Sequence, residues 1–454
     1  MKSEKIAPAI CFFMFNVYCL MFFFVTLSLC DELTLHSEEK NNRDCFVLRS
    51  FFRNFVALNI QTTMKKLIFT LCLVACSMTA AQAQTIDTLL NKVSTQPFTF
   101  SAQVPDGNYR VTVTLGNKKK AGQTVVRAES RRHYFDMITT KKGKYETVSF
   151  VVNKHNPVID AKTRVKLKPR ETDYKNWDDS LNLSFCGPMP AVQRIQIEPI
   201  KNVTTVFLCG NSTVVDQENE PWASWGQMIT RWFGEGVVFA NYAESGLSCT
   251  TFLAQLRLDK ILTQLKAGDY VIVEFGHNDE KEKKAGDGAW YSYSRNLKIF
   301  ADRVKSAGGH IIFCTPTARR AFKDGRNQNT HGDYPEAMKT VARREHVPVI
   351  DLTAMSTAFY EALGEEDSKK ALVHYPANTF PGQDKALADN THFNPYGAWQ
   401  IAKMIVMGLK QMDSPLVRYL RADWQDYNPA PPDDPAQFVW HMSAGSNITK
   451  PDGN

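Results

Sequence analysis

Near Lys201 the hydrophobic pattern of this chain changes its period, and that change restricts the fold more than any other feature. Before it, apolar side chains recur at every second position: Phe98, Phe100 and Ala102, then Tyr109, Val111, Val113 and Leu115. Turn-forming sequences such as Pro105-Asp106-Gly107-Asn108 and Gly116-Asn117 break the runs, which resume at 148–152, 165–167 and 181–185. A period of two marks strands with one buried face, and short strands at this spacing predict a β-sandwich of about 100 residues. After Thr204 the apolar runs become continuous, at 205–209, 237–242, 270–275, 310–314 and 347–350, and alternate with segments of helical period such as Leu297, Phe300, Ala301 and Val304. Strands buried on both faces and separated by helices predict a parallel sheet between two helical layers. A last helix is expected from about Pro395 to Met412, followed by a Pro-rich tail that wraps back over a surface.

Composition supports two such regions. The 454 residues are 43% apolar and 22% charged, enough for full-sized cores. The net charge of +7 comes from 54 basic and 47 acidic residues without a long Lys/Arg block. That spread excludes the footprint of nucleic-acid binding and leaves a mild preference for acidic substrates.

The first 83 residues are of another kind. Met64-Lys65-Lys66, an apolar stretch over 67–78 and Ala81-Gln82-Ala83 have the layout of a cleaved secretory signal. Upstream, 6–30 is uncharged and long enough to span a bilayer. Two export signals in tandem make little physical sense. Residues 1–63 are therefore expected to be an over-extended start, 64–83 a signal peptide and the mature chain exported, with a genuine anchor as the alternative. Membrane attachment would otherwise require acylation of Cys76, in the lipobox-like Leu73-Val74-Ala75-Cys76. The mature organisation is then 84–200 sandwich, 201–415 α/β region and 416–454 tail. Of its cysteines, Cys186, Cys209, Cys249 and Cys314 remain without a CxxC pair, and they read as buried free thiols unless export pairs some of them.

In a parallel sheet the ligand crevice lies beyond the carboxyl ends of the strands. Those ends carry Gly210-Asn211-Ser212-Thr213, Asn241-Tyr242-Ala243-Glu244-Ser245-Gly246, Gly276-His277-Asn278-Asp279 and Thr315-Pro316-Thr317-Ala318-Arg319-Arg320, and Asp389-Asn390-Thr391-His392 precedes the last helix. Ester hydrolysis would use such a set: Ser212 as nucleophile, His392 as its base and Asp389 to hold the imidazole. Ser212 and Gly246 would give backbone N–H groups, and Asn278 a side-chain amide, to the developing oxyanion. Each signal alone has a plainer explanation: a turn with a helix cap at Ser212, or an Asx turn at Asn278 with Asp279 and Glu280 solvated. Their joint placement at one rim favours the chemical reading.

These blocks resemble the SGNH/GDSL hydrolase superfamily, with Ser212, Gly246, Asn278 and His392 in its order, and within it the rhamnogalacturonan acetylesterases, which deacetylate pectin. The likeness covers about 204–412 and departs at Asn211, where the family often carries Asp. It implies a flavodoxin-like five-stranded α/β sheet, no metal or organic cofactor, and an acetylated plant cell-wall polysaccharide as partner. The sandwich is similar to galactose-binding-like modules. For sugar contacts, Arg319 and Arg320 would grip carboxylates, and His277, Tyr334 and Trp222 are further rim residues, with Trp225 and Trp290 as alternatives. Acetyl esters of xylan or another glycan, a lipid ester, and glycan binding by a chain whose hydrolase region is inactive remain the rival readings.

Overall fold

In the computed structural model, which describes residues 85–445, 448 and 450, the period-two region folds as two four-stranded antiparallel sheets. One runs β1 (Ile86–Val93), β8 (Ala191–Ile200), β3 (Gly107–Gly116), β6 (Tyr145–Lys154) and the other β2 (Phe98–Gln103), β7 (Ser180–Met189), β4 (Gly122–Ala128), β5 (Arg132–Thr140). Along β3, Tyr109, Val111, Val113 and Leu115 are buried and the residues between them are only partly covered, as alternation requires. The rings of Tyr134 in β5 and Phe150 in β6, 4.1 Å apart, join the two sheets. Residues 165–167, expected as a strand, are not one. Val165 instead packs into the core of the following region, and the Lys166 N–H donates to the Gln255 carbonyl. The leader and signal segments lie outside the described residues.

The second region is an α/β sheet. Strands β9 (Thr204–Gly210), β10 (Val237–Asn241), β11 (Tyr270–Glu274) and β12 (His310–Cys314) are followed by the short antiparallel ladder of β13 (Phe322–Lys323) and β14 (Arg326–Asn327), and then by β15 (Val349–Ile350). Five of these pair in parallel in the order β10-β9-β11-β12-β15, the flavodoxin-like succession 2-1-3-4-5. Every residue of β10 and β11 is buried, so both faces need covering. Helices α1 (Trp225–Met228), α2 (Cys249–Ala254), α3 (Arg257–Gln264), α4 (Ser294–Ser306), α5 (Tyr334–Arg344), α6 (Leu352–Asp367) and α7 (Pro395–Gln411) supply that cover. Val206 and Leu208 of β9 face the layer of α1, α6 and α7, whereas Phe207 and Cys209 face that of α2 to α5. A hairpin of β16 (Leu372–Tyr375) and β17 (Leu387–Phe393) occupies what the pattern presented as a loop before the last helix. Cys186, Cys209, Cys249 and Cys314 are buried free thiols. The tail does fold back: the Tyr396 hydroxyl donates to the Asp433 carbonyl at 2.6 Å, and Trp440 lies under the Arg127 guanidinium at 3.5 Å.

The two regions meet through buried charge. The turn between β4 and β5 puts Arg132 against Asp216, Nε to Oδ2 at 2.5 Å, with both side chains fully enclosed. Asn176 and Asn241 add donors to the same carboxylate at 3.1 and 2.8 Å. Removing one member of such a pair leaves an uncompensated charge in a dry site, typically a loss of about 3–5 kcal/mol. Asp216→Ala is accordingly expected to lower the free energy of unfolding measured in urea by that much, while Asp87→Ala, which opens the exposed Asp87–Arg194 pair, leaves it nearly unmoved. Equal shifts in the two variants would overturn this account.

Candidate active site

The loop that carries Ser212 starts where β9 ends. A Cβ on Gly210 would lie 2.3 Å from Val214 Cγ2 and 2.9 Å from the Glu274 carbonyl oxygen, so only glycine fits the turn. Asn211 Oδ1 accepts from the Thr213 N–H and hydroxyl at 3.1 and 2.9 Å, which closes the loop as an Asx turn. Thr213 is also anchored from below, its hydroxyl oxygen lying 2.9 Å from Glu274 Oε1, so that its one proton is shared between that carboxylate and Asn211 Oδ1. Burial pushes the Glu274 carboxyl up to about 7, against the donors Trp225, Thr213 and Thr317 that favour its charged form. At the tip, Ser212 Oγ sits 2.8 Å from His392 Nε2, although the two residues are 180 positions apart.

His392 comes from the end of β17. Its Nδ1 is 2.8 Å from Asp389 Oδ2, and Asp389 Oδ1 takes the backbone N–H groups of Thr391 and His392 at 2.8 and 3.0 Å. Burial alone would raise the Asp389 carboxyl, but the hydrogen bond from His392 and its positive charge outweigh burial and hold the group down at about 2. When the imidazole is neutral, an ionised Asp389 accepts a hydrogen bond from Nδ1–H and so leaves Nε2 bare to accept from the Ser212 hydroxyl.

The other two strand-end loops are stapled together. Asp279 Oδ1 accepts from the Cys249 N–H at 2.8 Å and Oδ2 from the Gly276 N–H at 3.1 Å, so one carboxylate spans both. It is buried rather than solvated, and burial pushes it up to about 7. The Asn278 amide donates one proton to the Leu247 carbonyl at 3.0 Å, and its Oδ1 accepts from Lys281 Nζ at 3.0 Å, which orients the –NH₂ group. Gly246 turns in the left-handed region at φ 77°, a conformation glycine adopts without strain.

Ser212, His277, Asn278, Lys281, Arg319, Asp389, Asn390, His392 and Lys450 line one cavity of about 310 Å³. The structure thus brings together the serine, the imidazole, the carboxylate and the amide, with Gly246 on the adjoining loop but outside the lining. His277 belongs here as well. It is 2% exposed, and neither ring nitrogen has a partner. Burial, then the neighbouring His331 and Arg319, hold its pKa well below the ordinary value, so the ring is neutral.

The remaining sugar-contact residues need correction. Trp222 is 1% exposed and Trp225 is core, its indole N–H given to Glu274, so neither has a face for a sugar ring. Arg320 spends its fork on the Glu365 carbonyl and Ser368 hydroxyl and reaches the cavity wall only through Asn390. Arg319 does line the cavity, but it is paired with Glu280 at 2.5 Å. Tyr334 donates to the Asp279 carbonyl, and the exposed Trp290 to Asp333, both away from the cavity.

Sequence reasoning missed Lys281, Asn390 and Lys450, whose only signal was proximity to Asn278, to His392 or to the chain end. It also missed the brace beneath Ser212. Arg131 Nη1 donates to the Gln217 and Trp222 carbonyls at 2.9 Å each, and Gln217 Nε2 donates to the Ser212 carbonyl at 3.0 Å. Lys168 Nζ holds the Ser245 carbonyl, next to Gly246, at 2.5 Å. Among the described residues no three His, Cys, Asp or Glu side chains gather as metal ligands would.

The profile of the GDSL-like lipase/acylhydrolase family matches residues 208–399. A rhamnogalacturonan acetylesterase of Bacillus subtilis (strain 168), RhgT, is 39% identical over 224 residues, 49% of this chain and 96% of that protein. A probable rhamnogalacturonan acetylesterase of the same organism, YesY, is 32% identical over 46% of this chain and 94% of its own length. The crystal structure of YxiM from Bacillus subtilis shares 23% identity with a TM-score of 0.41, covering 73% of this chain and 89% of that one.

The depressed Asp389 carboxyl fixes the sign of one acid effect. Its contribution to stability is complete above the ordinary carboxyl value and is lost as pH falls through the folded value. The urea midpoint of the unsubstituted protein should therefore exceed that of Asp389→Asn at about pH 5, and the gap should close by about pH 2. A gap that does not change with pH would refute the assignment.

Proposed function

The chain belongs to the GDSL-like lipase/acylhydrolase family and is an esterase, and from that premise we propose that it is an exported carbohydrate esterase that removes O-acetyl groups from rhamnogalacturonan. The observation that carries this reading is the chain of two 2.8 Å contacts, Ser212 Oγ to His392 Nε2 and His392 Nδ1 to Asp389 Oδ2, at the wall of an open polar cavity. The Ser212 hydroxyl attacks the acetyl carbon while its proton passes to Nε2. The tetrahedral oxyanion is met by the Asn278 amide and by the backbone N–H groups of Ser212 and Gly246. Collapse expels the sugar oxygen, which takes the proton back from His392, and leaves Ser212 acetylated. A water that gives its proton to the same nitrogen then attacks the ester carbon, and acetate leaves as the serine recovers its proton.

The polymer assignment is supported by the relatives named above and by the cavity's charge. Lys281, Arg319 and Lys450 line it, and only Arg319 is paired with a carboxylate among the described residues. A lipid would want a broad apolar crevice instead.

Acetate released from acetylated rhamnogalacturonan and from acetylated xylan tests both the activity and the choice of glycan. Ser212→Ala is expected to lower kcat by about 10⁴-fold or more, and Asn278→Ala by about 10²–10³-fold. Turnover that survives Ser212→Ala would end the mechanism, and a preference for xylan would end the substrate assignment.

A further inference from the structure

Beyond the end of β10, Glu244, Ser245, Gly246 and Leu247 form a tight turn, in which the Leu247 N–H donates to the Glu244 carbonyl at 3.2 Å. Gly246 is at φ 77° and Ser245 is not among the residues of positive φ, the combination of a type II turn. Its central peptide is the one that joins Ser245 to Gly246. Type I and type II turns differ mainly by turning that peptide over, through about 150–170° at the two dihedrals that flank it. Carbonyl and N–H point opposite ways across a trans peptide, so the turn type decides which of them faces a given side. For an oxyanion, that is the difference between a donor and a second negative oxygen.

The carbonyl of this peptide is held by residues that precede the family's match, 208–399. Lys168 Nζ donates to the Ser245 oxygen at 2.5 Å and Arg170 Nη2 at 3.1 Å. Both belong to the stretch that joins β6 to β7, and that stretch is itself docked. The buried Glu171 carboxylate takes Arg257 Nη2 at 2.7 and 2.6 Å, and the Lys166 N–H reaches the Gln255 carbonyl at 3.0 Å. Arg170 is shared with Glu244, whose Oε1 takes its Nε at 3.1 Å, so among the described residues Lys168 is the cation that serves the carbonyl alone. The serine loop is tied to the same turn: Gln217 Nε2 gives one proton to the Ser212 carbonyl at 3.0 Å and lies 3.4 Å from Ser245 Oγ.

We propose that Lys168 is a positioning residue for the hydrolysis: by anchoring the Ser245 carbonyl it fixes and polarises the Gly246 N–H as an oxyanion donor. The proposal deepens the mechanism above and rests on it for the place of the oxyanion. Lys168 does not line the cavity, so it acts on the reaction through this peptide. Hydrogen bonds in series polarise one another, and a donor fixed in advance needs no reorganisation as charge develops. Turned over, the same peptide would present its oxygen where the negative charge forms.

Steady-state hydrolysis of 4-nitrophenyl acetate by Lys168→Met, Lys168→Gln and Lys168→Arg tests this, with Ser212 titrated by a phosphonylating reagent so that kcat is counted per active serine. In Lys168→Met kcat is expected to fall about tenfold, short of the roughly 10²–10³-fold that follows loss of a whole donor, with KM held within about twofold. Acylation and deacylation both pass through an oxyanion, so the fall does not depend on which is slower. Lys168→Arg keeps charge and donor and should restore most of kcat, and Lys168→Gln, a neutral donor, should fall between. Should Lys168→Met not fold, the comparison of Lys168→Gln with Lys168→Arg carries the same decision. The proposal is overturned if kcat per active serine is unchanged by removing the charge, if KM alone rises, or if Lys168→Arg is as slow as the neutral variants. Failure of the underlying mechanism shows up separately, as turnover that survives Ser212→Ala, whereas turnover that requires Ser212 and Asn278 but ignores Lys168 ends this proposal alone.

Discussion

Asp216 is the carboxylate on which the geometry of this protein turns. It is enclosed, it meets Arg132 from the start of β5, and it receives Asn241 from the end of β10 and Asn176 from the segment that leads into β7. Four parts of the chain thus converge on one buried charge. The neighbouring Arg131 fixes the carbonyls of Gln217 and Trp222, and Gln217 and Ser224 both donate to the carbonyl of Ser212. On the far side, Lys168 and Arg170 hold the carbonyl of Ser245, one residue before the Gly246 N–H. The loops that would receive an oxyanion are therefore clamped from outside the sheet that carries them. Displacing the turn would strand several charges without partners, so it is either seated or not, with no inexpensive intermediate position.

That clamp explains which parts of the molecule could be read from sequence. The five parallel strands were legible because burial on both faces leaves continuous apolar runs, and the strand-end residues followed from the rule that crevices lie beyond carboxyl ends. The same rule put Ser212 at the rim, and the structure brings it within 2.8 Å of His392, itself 2.8 Å from Asp389, the two residues that the sequence offered just before the last helix. Strands β4 and β5 were not, because Arg127, Arg132 and His133 are buried there and break the apolar alternation on which a strand signal depends. Their partners lie far along the chain, with 84 positions between Arg132 and Asp216, and no local pattern encodes such a pairing. Residues 165–167 failed in the opposite sense, since their alternation is real but is spent on packing beside Trp177 and Tyr242 instead of in a sheet.

The aromatic and cationic residues divide along the same line. Trp222 and Trp225 were attractive as sugar platforms on composition alone, yet a large ring next to a sheet contributes most when wholly enclosed, and both are. Arg320 obeys the same economy, its fork bridging the end of α6 to Asn390 and so stiffening the hairpin that holds His392. Charge available to a ligand is left with groups that have few other obligations, and a flexible lysine at a rim fits that description better than an arginine locked by two carbonyls.

The sandwich can be assigned its part on these terms. A module that binds sugar through the loops at one end needs those loops open, whereas Glu129, Ser130, Arg131 and Arg132 are all buried in the clamp. The β4–β5 end has therefore been given over to holding Ser212 in place. On the function proposed above, a long glycan would be recognised by surfaces continuous with the catalytic cavity, because only those can read the residue next to the ester at the moment of attack. Binding energy gathered there would act on the orientation of the ester carbon, and a rigid clamp beneath the serine is the condition under which such orientation raises the rate of reaction and does more than tighten binding.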